Sequence, residues 1–356
     1  MKEKYLNIII EKNTSILKAL QQMDDIGYKL LIVVKDGIYR GLLSIGDVQR
    51  SIIGNINLND TIGSIMRKDY IVSKPQDSID NVKKLMLKIR SEFMPVIDSD
   101  NNIVDVYFWK DLFEEKESQP LKKFNLPVII MAGGFGTRLR PLTYVIPKPL
   151  IPIGEKTMLE EIFSRFGKHG CDEFHISVNY KADLIKYYVK SKNLPYDVSY
   201  FEEEQPMGTA GSLSLLKNKI DTTFFVSNCD ILIEQDYSEI LDYHQKNKNE
   251  ITMVAALKHF SIPYGTIQTA ENGLLQSMEE KPDMTYLINA GLYVLEPHLL
   301  NEIPENEFFH ITHLIEKVRQ DGRKVGVFPV SEKSWRDIGN WNEYNREVLS
   351  SYTNFN

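Results

Sequence analysis

Apolar residues recur along this chain in two different rhythms, and the change of rhythm near residue 120 divides it. Before that point one pattern occurs twice. Thr14-Ser15-Ile16 leads into Ala19, Leu20 and Met23, an apolar face at helical spacing. Runs at 31–34 and 41–43 then flank a turn at Asp36-Gly37, and Ser44-x-x-Asp47-Val48 follows. The order returns with Asp77-Ser78-Ile79, Val82, Leu85 and Met86, then runs at 95–97 and 104–107 around a turn at 98–102, then Lys110-Asp111-Leu112. Both halves predict helix, strand, turn, strand, helix, with Asp47 and Asp111 opening the last helix of each, where aspartate serves well as a cap. The repeats are expected at 1–58 and 59–117. A linker at 118–125 follows the charged stretch 114–120, which ends in proline.

From residue 126 to 350, apolar runs alternate with amphipathic helical stretches. Strands are predicted at 128–131, 174–178, 198–201, 223–226 and 252–256, and helices at 158–168, 182–189, 210–216 and 237–246. This alternation predicts an α/β domain, Rossmann-like, with a mainly parallel sheet flanked by helices. Ligands of such a sheet sit beyond the carboxyl ends of its strands. At that place after the run 128–131 stands Ala132-Gly133-Gly134-Phe135-Gly136-Thr137-Arg138, with Arg140 and Lys148 close behind. Glycines let backbone N–H groups approach an anion closely. No Gly-Lys-Ser/Thr ending follows and the spacing is not G-x-G-x-x-G, so neither a P-loop nor a dinucleotide fingerprint is present. Two guanidiniums and an ammonium behind the loop point to a polyphosphate, although Arg140 alone reads as a solvated charge.

Composition narrows the classes. With 356 residues, 42% hydrophobic and 26% charged, the chain suits a globular protein of two or three domains. A net charge of −7 argues against a nucleic-acid partner. No apolar stretch is long enough for a membrane span or a signal peptide. Two cysteines, Cys171 and Cys229, make no disulfide framework, and a cytoplasmic location is expected.

Further polar motifs follow in order: Gln205-Pro-Met-Gly208-Thr209-Ala-Gly211, Asn228-Cys229-Asp230, Glu279-Glu280-Lys281-Pro282, Asn289-Ala290-Gly291 and Trp335-Arg336-Asp337-Ile338-Gly339. Together with the glycine loop they resemble the sugar-1-phosphate nucleotidyltransferases, over about residues 126–345. The resemblance implies that Ala132, Gly133, Gly134, Gly136, Thr137, Arg138, Gln205, Gly208 and Thr209 border the nucleotide. It implies that Arg138, Lys148 and Asp230 carry the chemistry, that Asp230 and Asp337 hold Mg²⁺, and that Glu280, Lys281, Asn289 and Gly291 contact the sugar phosphate. Those residue types suit the reaction, because two anions must meet and neutralisation and alignment are the main task. Trp335 and Tyr344 read as packing residues, and Cys229 as an inert thiol. His310 and His313 lie one helical turn apart, where the family usually has acidic residues, and no further Cys or His stands at zinc-ligand spacing.

The doubled N-terminal pattern resembles a tandem pair of cystathionine β-synthase (CBS) domains. Such pairs often bind adenine nucleotides through Ser/Thr-x-x-Asp, which Ser44 and Asp47 match. The second repeat keeps Asp111 but has Phe108 in place of the hydroxyl. The pair is expected to be a dimerising or regulatory module, and the protein a homo-oligomer. Met-Gly-Thr-Ala-Gly and Asn-Cys-Asp resemble the guanylyltransferase branch, and Glu202, Glu203 and Glu204 are candidate acceptors for guanine. Fusion of the two modules resembles bacterial enzymes that activate glucosamine 1-phosphate with GTP on the way to legionaminic acid. The alternatives left open are mannose or glucose 1-phosphate with GTP, UTP, dTTP or CTP, and a non-catalytic nucleotide-sensing subunit. Retention of Arg138, Lys148, Asp230, Lys281 and Asp337 weighs against the last.

Overall fold

In the first of two compact units, Met1–Pro120, strand β1 (Ile9–Glu11), helix α1 (Ile16–Ile26), strands β2 (Leu30–Lys35) and β3 (Ile38–Ser44) and helix α2 (Ile45–Ile53) follow in order. Helix α3 (Ile79–Ile89), strands β4 (Phe93–Ile97) and β5 (Ile103–Phe108) and the single turn α4 (Trp109–Leu112) repeat that order. The computed structural model describes residues 2–67, 70–89, 91–113, 121–203 and 205–346. The stretch 114–120, the first part of the expected linker, Glu204 and the residues after 346 lie outside it.

Local chemistry sets the element ends. Ser15 accepts from the Lys18 N–H and starts α1, and Gly27, at φ 74°, stops it. Asp36 and Gly37 both have positive φ, as the tight turn between β2 and β3 requires. The repeats share their backbone bonding. The Ile45 N–H donates to the Lys29 carbonyl at 2.8 Å, and the Trp109 N–H donates to the Glu92 carbonyl at 2.9 Å. β1 pairs parallel with β2, whereas in the second repeat the described residues show a single parallel bridge there, Ser73 to Val96. Tyr28 packs on Phe93 and Phe108, joining the halves. Ser44, not Asp47, occupies the cap of α2; Asp47 is the reciprocal partner three residues later, its carboxylate accepting from the Ser44 N–H at 2.9 Å. Phe108 takes the cap of α4 without a side-chain bond, and Asp111 sits inside that turn.

The second unit, Leu121–Asn356, is built on β6 (Val128–Met131). A small hairpin, β7 (Pro152–Ile153) and β8 (Lys156–Thr157), leads into α5 (Met158–Gly167), capped by a Thr157–Glu160 box. Then come β9 (Glu173–Val178), α6 (Ala182–Ser191), β10 (Asp197–Glu202), β11 (Phe224–Asn228), β12 (Ile231–Ile233) and α7 (Tyr237–Asn247). The rest is β13 (Ile251–Ser261), a hairpin of β14 (Thr266–Thr269) and β15 (Leu275–Glu279), β16 (Asp283–Leu295), α8 (Ile311–Gln320), β17 (Val325–Ser331) and β18 (Trp335–Asp337).

The central sheet has the order β10-β9-β6-β11-β16-β13-β17, with β16 antiparallel to its neighbours and every other pairing parallel. Val128, Ile129 and Ile130 of β6 are fully buried because helices cover both faces. The strand order reverses between β6 and β11, so their carboxyl ends diverge into a crevice. The helix expected over 210–216 is instead a 3-10 turn, Gly211–Leu216. The Ala210 and Gly211 N–H groups both donate to the Phe309 carbonyl, which commits them to a neighbouring segment rather than to a helix. No helix among the described residues is long and apolar enough to cross a membrane.

Candidate active site

The glycine loop opens the crevice at the end of β6. Gly136 lies in the left-handed region at φ 62°, and a Cβ there would come within 2.8 Å of the Thr143 methyl. Its carbonyl accepts from the Thr143 hydroxyl at 2.9 Å, and the turn Thr137–Leu139 then carries Arg138 inward. Gly133 is constrained from the other side: a Cβ would meet Glu203 Oε1 at 2.8 Å. Glu203 is buried, and its two oxygens accept from the Ser177 hydroxyl and from the Met207 N–H. It therefore ties the glycine loop to the 205–208 turn. Its bonds are made within the protein, whereas Glu202 pairs with Lys186 at 2.6 Å on the exposed surface. Ala132 is buried, Gly134 faces open space, and Gln205 is exposed on its turn.

Asp230 follows β11 and is 7% exposed. Strands β12 and β18 pair antiparallel with Ile231 opposite Asp337, and the Ile338 N–H donates to the Asp230 carbonyl at 2.9 Å. Two carboxylates far apart in sequence are thereby set side by side. Gly339 lies between them: a Cβ there would meet Asp230 Oδ2, Asp337 Oδ1 at 2.7 Å and Arg138 Nη2 at 2.9 Å. Lys148, fixed between Pro147 and Pro149, donates to Asp230 Oδ2, and Arg138 Nη2 stands 3.7 Å from the same oxygen. Burial, reinforced by the Asp230 charge, holds the Asp337 carboxyl above its ordinary value. The four residues expected to carry charge, Arg138, Lys148, Asp230 and Asp337, thus converge.

That convergence forms one end of a cavity of about 420 Å³. Asn289 and Gly291 line it, as does Thr209 from the 205–211 turn. Gly291, at φ 76°, lets β16 pass Asn228, whose amide nitrogen a Cβ would meet at 2.6 Å. Tyr293 bonds both ends of the Asn289 amide, at 2.7 and 2.9 Å, and burial pushes its phenol up to about 12. Trp335 is more than packing: its indole N–H donates to the Ala290 carbonyl at 3.1 Å and it lines the cavity. Gly208, at φ 80°, is held against Phe309, whose carbonyl a Cβ would meet at 2.7 Å. Glu280 and Lys281 are not brought to this cavity. They are exposed on the return from β15 to β16.

Sequence reasoning missed Tyr293 and Thr312; it gave Asn228 no role of its own, read Glu203 as a guanine acceptor, and weighed His310, which lines the cavity, only as half of a zinc pair. Cys229 is buried and its thiol is pushed up to about 12, so it is inert as expected. In the first unit, Asp47 is almost fully engaged. Arg50 and Arg67 pair with one oxygen, while Ser44 and the Tyr70 hydroxyl donate to the other. Desolvation is outweighed, and the carboxyl lies below its ordinary value. Asp111 is exposed.

The chain's similarities agree with this geometry. Residues 127–352, more than half of it, match the family "Nucleotidyl transferase", and residues 62–118 match the CBS domain. It is 33% identical to a mannose-1-phosphate guanyltransferase of Pichia angusta, over 59% of this chain and 60% of that one. It is 34% identical to the catalytic subunit beta of a mannose-1-phosphate guanylyltransferase of Dictyostelium discoideum, over 50% and 52%. The chain thus spans about three-fifths or less of the curated relatives it matches. HddC from Yersinia pseudotuberculosis, complexed with GMP-PN, superposes with a TM-score of 0.50 and 25% identity, covering 63% of this chain and 99% of that one. This chain belongs to the nucleotidyl transferase family.

Proposed function

We propose that this nucleotidyl transferase joins a sugar 1-phosphate to a nucleoside triphosphate, with GTP as the triphosphate and glucosamine 1-phosphate as the sugar. The observation that carries the reaction class is the meeting of Arg138, Lys148, Asp230 and Asp337 around Gly339, at the point where the sheet order reverses. A sugar-phosphate oxygen attacks the α-phosphorus, the bond from that phosphorus to the bridging oxygen breaks, and pyrophosphate leaves. Arg138 and Lys148 neutralise the phosphates and align them, while the glycine loop lets backbone N–H groups lie against the nucleotide.

Asp230 and Asp337 would hold Mg²⁺. A buried carboxylate, Asp230, beside a half-buried one, Asp337, that resists ionisation suits a cation, and no larger acidic or histidine cluster occurs among the described residues. That count fits Mg²⁺, which takes one or two carboxylates and completes its shell with phosphate oxygens and water. When bound, it would add charge neutralisation where the phosphates meet.

GTP is supported by relatives named as mannose-1-phosphate guanylyltransferases and by the nucleotide in the HddC structure. Glucosamine 1-phosphate rests on the joining of a CBS region to this catalytic family, and mannose 1-phosphate is its main competitor. Glu280 and Lys281 are proposed to meet the sugar phosphate from their exposed strand return. The CBS region is proposed to act as a dimerising or regulatory module. Pyrophosphate release with Mg²⁺, four triphosphates and a panel of sugar 1-phosphates tests the reading. Release with GTP and glucosamine 1-phosphate is expected, and no release with any pair refutes it.

A further inference from the structure

The cavity is chemically two-ended. Arg138, Asp230 and Asp337 supply its charge at one end. None of Gly133, Gly134, Gly136 or Gln205 lines it, so it lies apart from the glycine loop, sharing with the expected nucleotide site only Arg138 and Thr209. Away from the charged end, its titratable lining groups are His310 and Tyr293, and the Tyr293 hydroxyl is already engaged with Asn289.

His310 is held firmly. Its backbone is extended at φ −92°, ψ 151°, immediately before α8, and its N–H donates to His313 Nδ1 at 3.3 Å. The ring packs edge-on against Phe308 and His313, and its Nδ1 lies 3.3 Å from Thr209 Oγ1. That hydroxyl is fixed in turn by the Ile311 N–H at 3.0 Å. The other ring nitrogen, Nε2, has no partner among the described residues. A pre-positioned imidazole with one nitrogen bonded and the other free is a directional hydrogen-bonding group of the kind that a polyhydroxylated ligand needs.

We propose that His310 is a specificity-determining residue that hydrogen-bonds a ring substituent of the sugar through Nε2, while the sugar's phosphate lies toward Arg138. The proposal rests on the reading of this site as one for a sugar 1-phosphate. A hydrogen bond of this kind is worth about tenfold in binding.

The test measures pyrophosphate release by wild type, His310→Ala and His310→Gln, using the preferred sugar 1-phosphate and its set of monodeoxy analogues. Wild type should lose about tenfold in kcat/KM on one analogue, the one lacking the contacted hydroxyl or amine. His310→Ala should raise KM for the parent sugar about tenfold with the triphosphate KM within twofold, and should show no further loss on that analogue. His310→Gln, which keeps a polar end, should recover part of the difference. An equal rise in both KM values, or an additive loss on every analogue, overturns the assignment of His310 alone. Wild type that releases no pyrophosphate with any sugar 1-phosphate overturns the underlying reading and this proposal with it. Melting curves of the variants separate unfolding from lost recognition.

Discussion

Replacing Lys148 by methionine tests whether the charge cluster is as buried as the structure has it. The two side chains of the Lys148–Asp230 pair are 12% and 8% exposed. Methionine keeps the length of the lysine stem and removes its charge. Breaking a buried pair from one side typically costs about 3–5 kcal/mol, because the remaining ion is left without compensation. Asp230 keeps Arg138 at 3.7 Å, and although that guanidinium is 62% exposed and Asp337 stands alongside, the retained cation offsets part of the loss. A cost of about 3 kcal/mol is therefore expected, toward the low end of the range. For a unit of this size each kcal/mol moves the melting temperature by about 2–4 °C, so the drop should be about 6–12 °C. The assay is thermal melting without Mg²⁺ or nucleotide, alongside pyrophosphate release. Adding Asp230→Asn to Lys148→Met leaves a neutral pair and should recover most of the stability while turnover stays lost, since each carried a separate duty in the reaction. A single variant that melts within 2 °C of wild type, or a double variant whose losses simply add, would falsify the buried-pair reasoning.

Asp337→Asn should raise the melting temperature without metal while nearly abolishing turnover. Its raised pKa means that the folded protein holds this proton more tightly than the unfolded chain, so the ionised group opposes folding at neutral pH. The gap from wild type should shrink as pH falls and the carboxyl protonates. Arg138→Ala should lower kcat/KM on the order of a hundredfold, as when a charge clamp is removed, whereas Lys281→Ala should raise KM for the sugar phosphate more than for the triphosphate. Equal effects of Lys281→Ala on both substrates would place it elsewhere. Glu250 is held down to about 2 by hydrogen bonding to Arg323, so the stability it contributes is complete above its ordinary 4.5 and lost as pH falls toward 2. Glu250→Gln should accordingly lower the melting temperature at pH 7 and match wild type near pH 2. A protein starting at Leu121 should fold and release pyrophosphate, since every residue of the cavity and glycine loop lies beyond that division. A folded but inactive truncation would show that the first unit completes the site.

What the sequence made legible, and what it hid, follows from the range of the interactions involved. Strands β6, β9 and β11 showed themselves because burial on both faces forces continuous apolar runs, as in Val128, Ile129 and Ile130. Gly133 and Gly136 announced a loop, and the structure supplies the partners, Glu203 and Thr143, that exclude a side chain there. The long reach of β13 and β16 and the hairpin between them were not foreseen, since residues 266–287 are largely exposed and carry no burial pattern to read. Glu203 was misjudged for the opposite reason. In sequence it belongs to an acidic run, which usually signals solvent, and only the approach of Ser177 and Met207 makes it a buried clasp. His310 shows the same limit at the site itself. Alone or paired with His313 it reads as a deficient zinc motif, because sequence spacing reports only neighbours on one helix. Its functional neighbours come from three other segments, Thr209 beside it and Asn289 and Asp230 around the cavity, all brought there by the crossover that sets β16 between β11 and β13. A residue whose partners are all distant in sequence leaves no local pattern. The chemistry of such a site becomes visible only when the topology is known, whereas the glycine loop and Asp230 could be located from pattern, and Asp337 from the family resemblance.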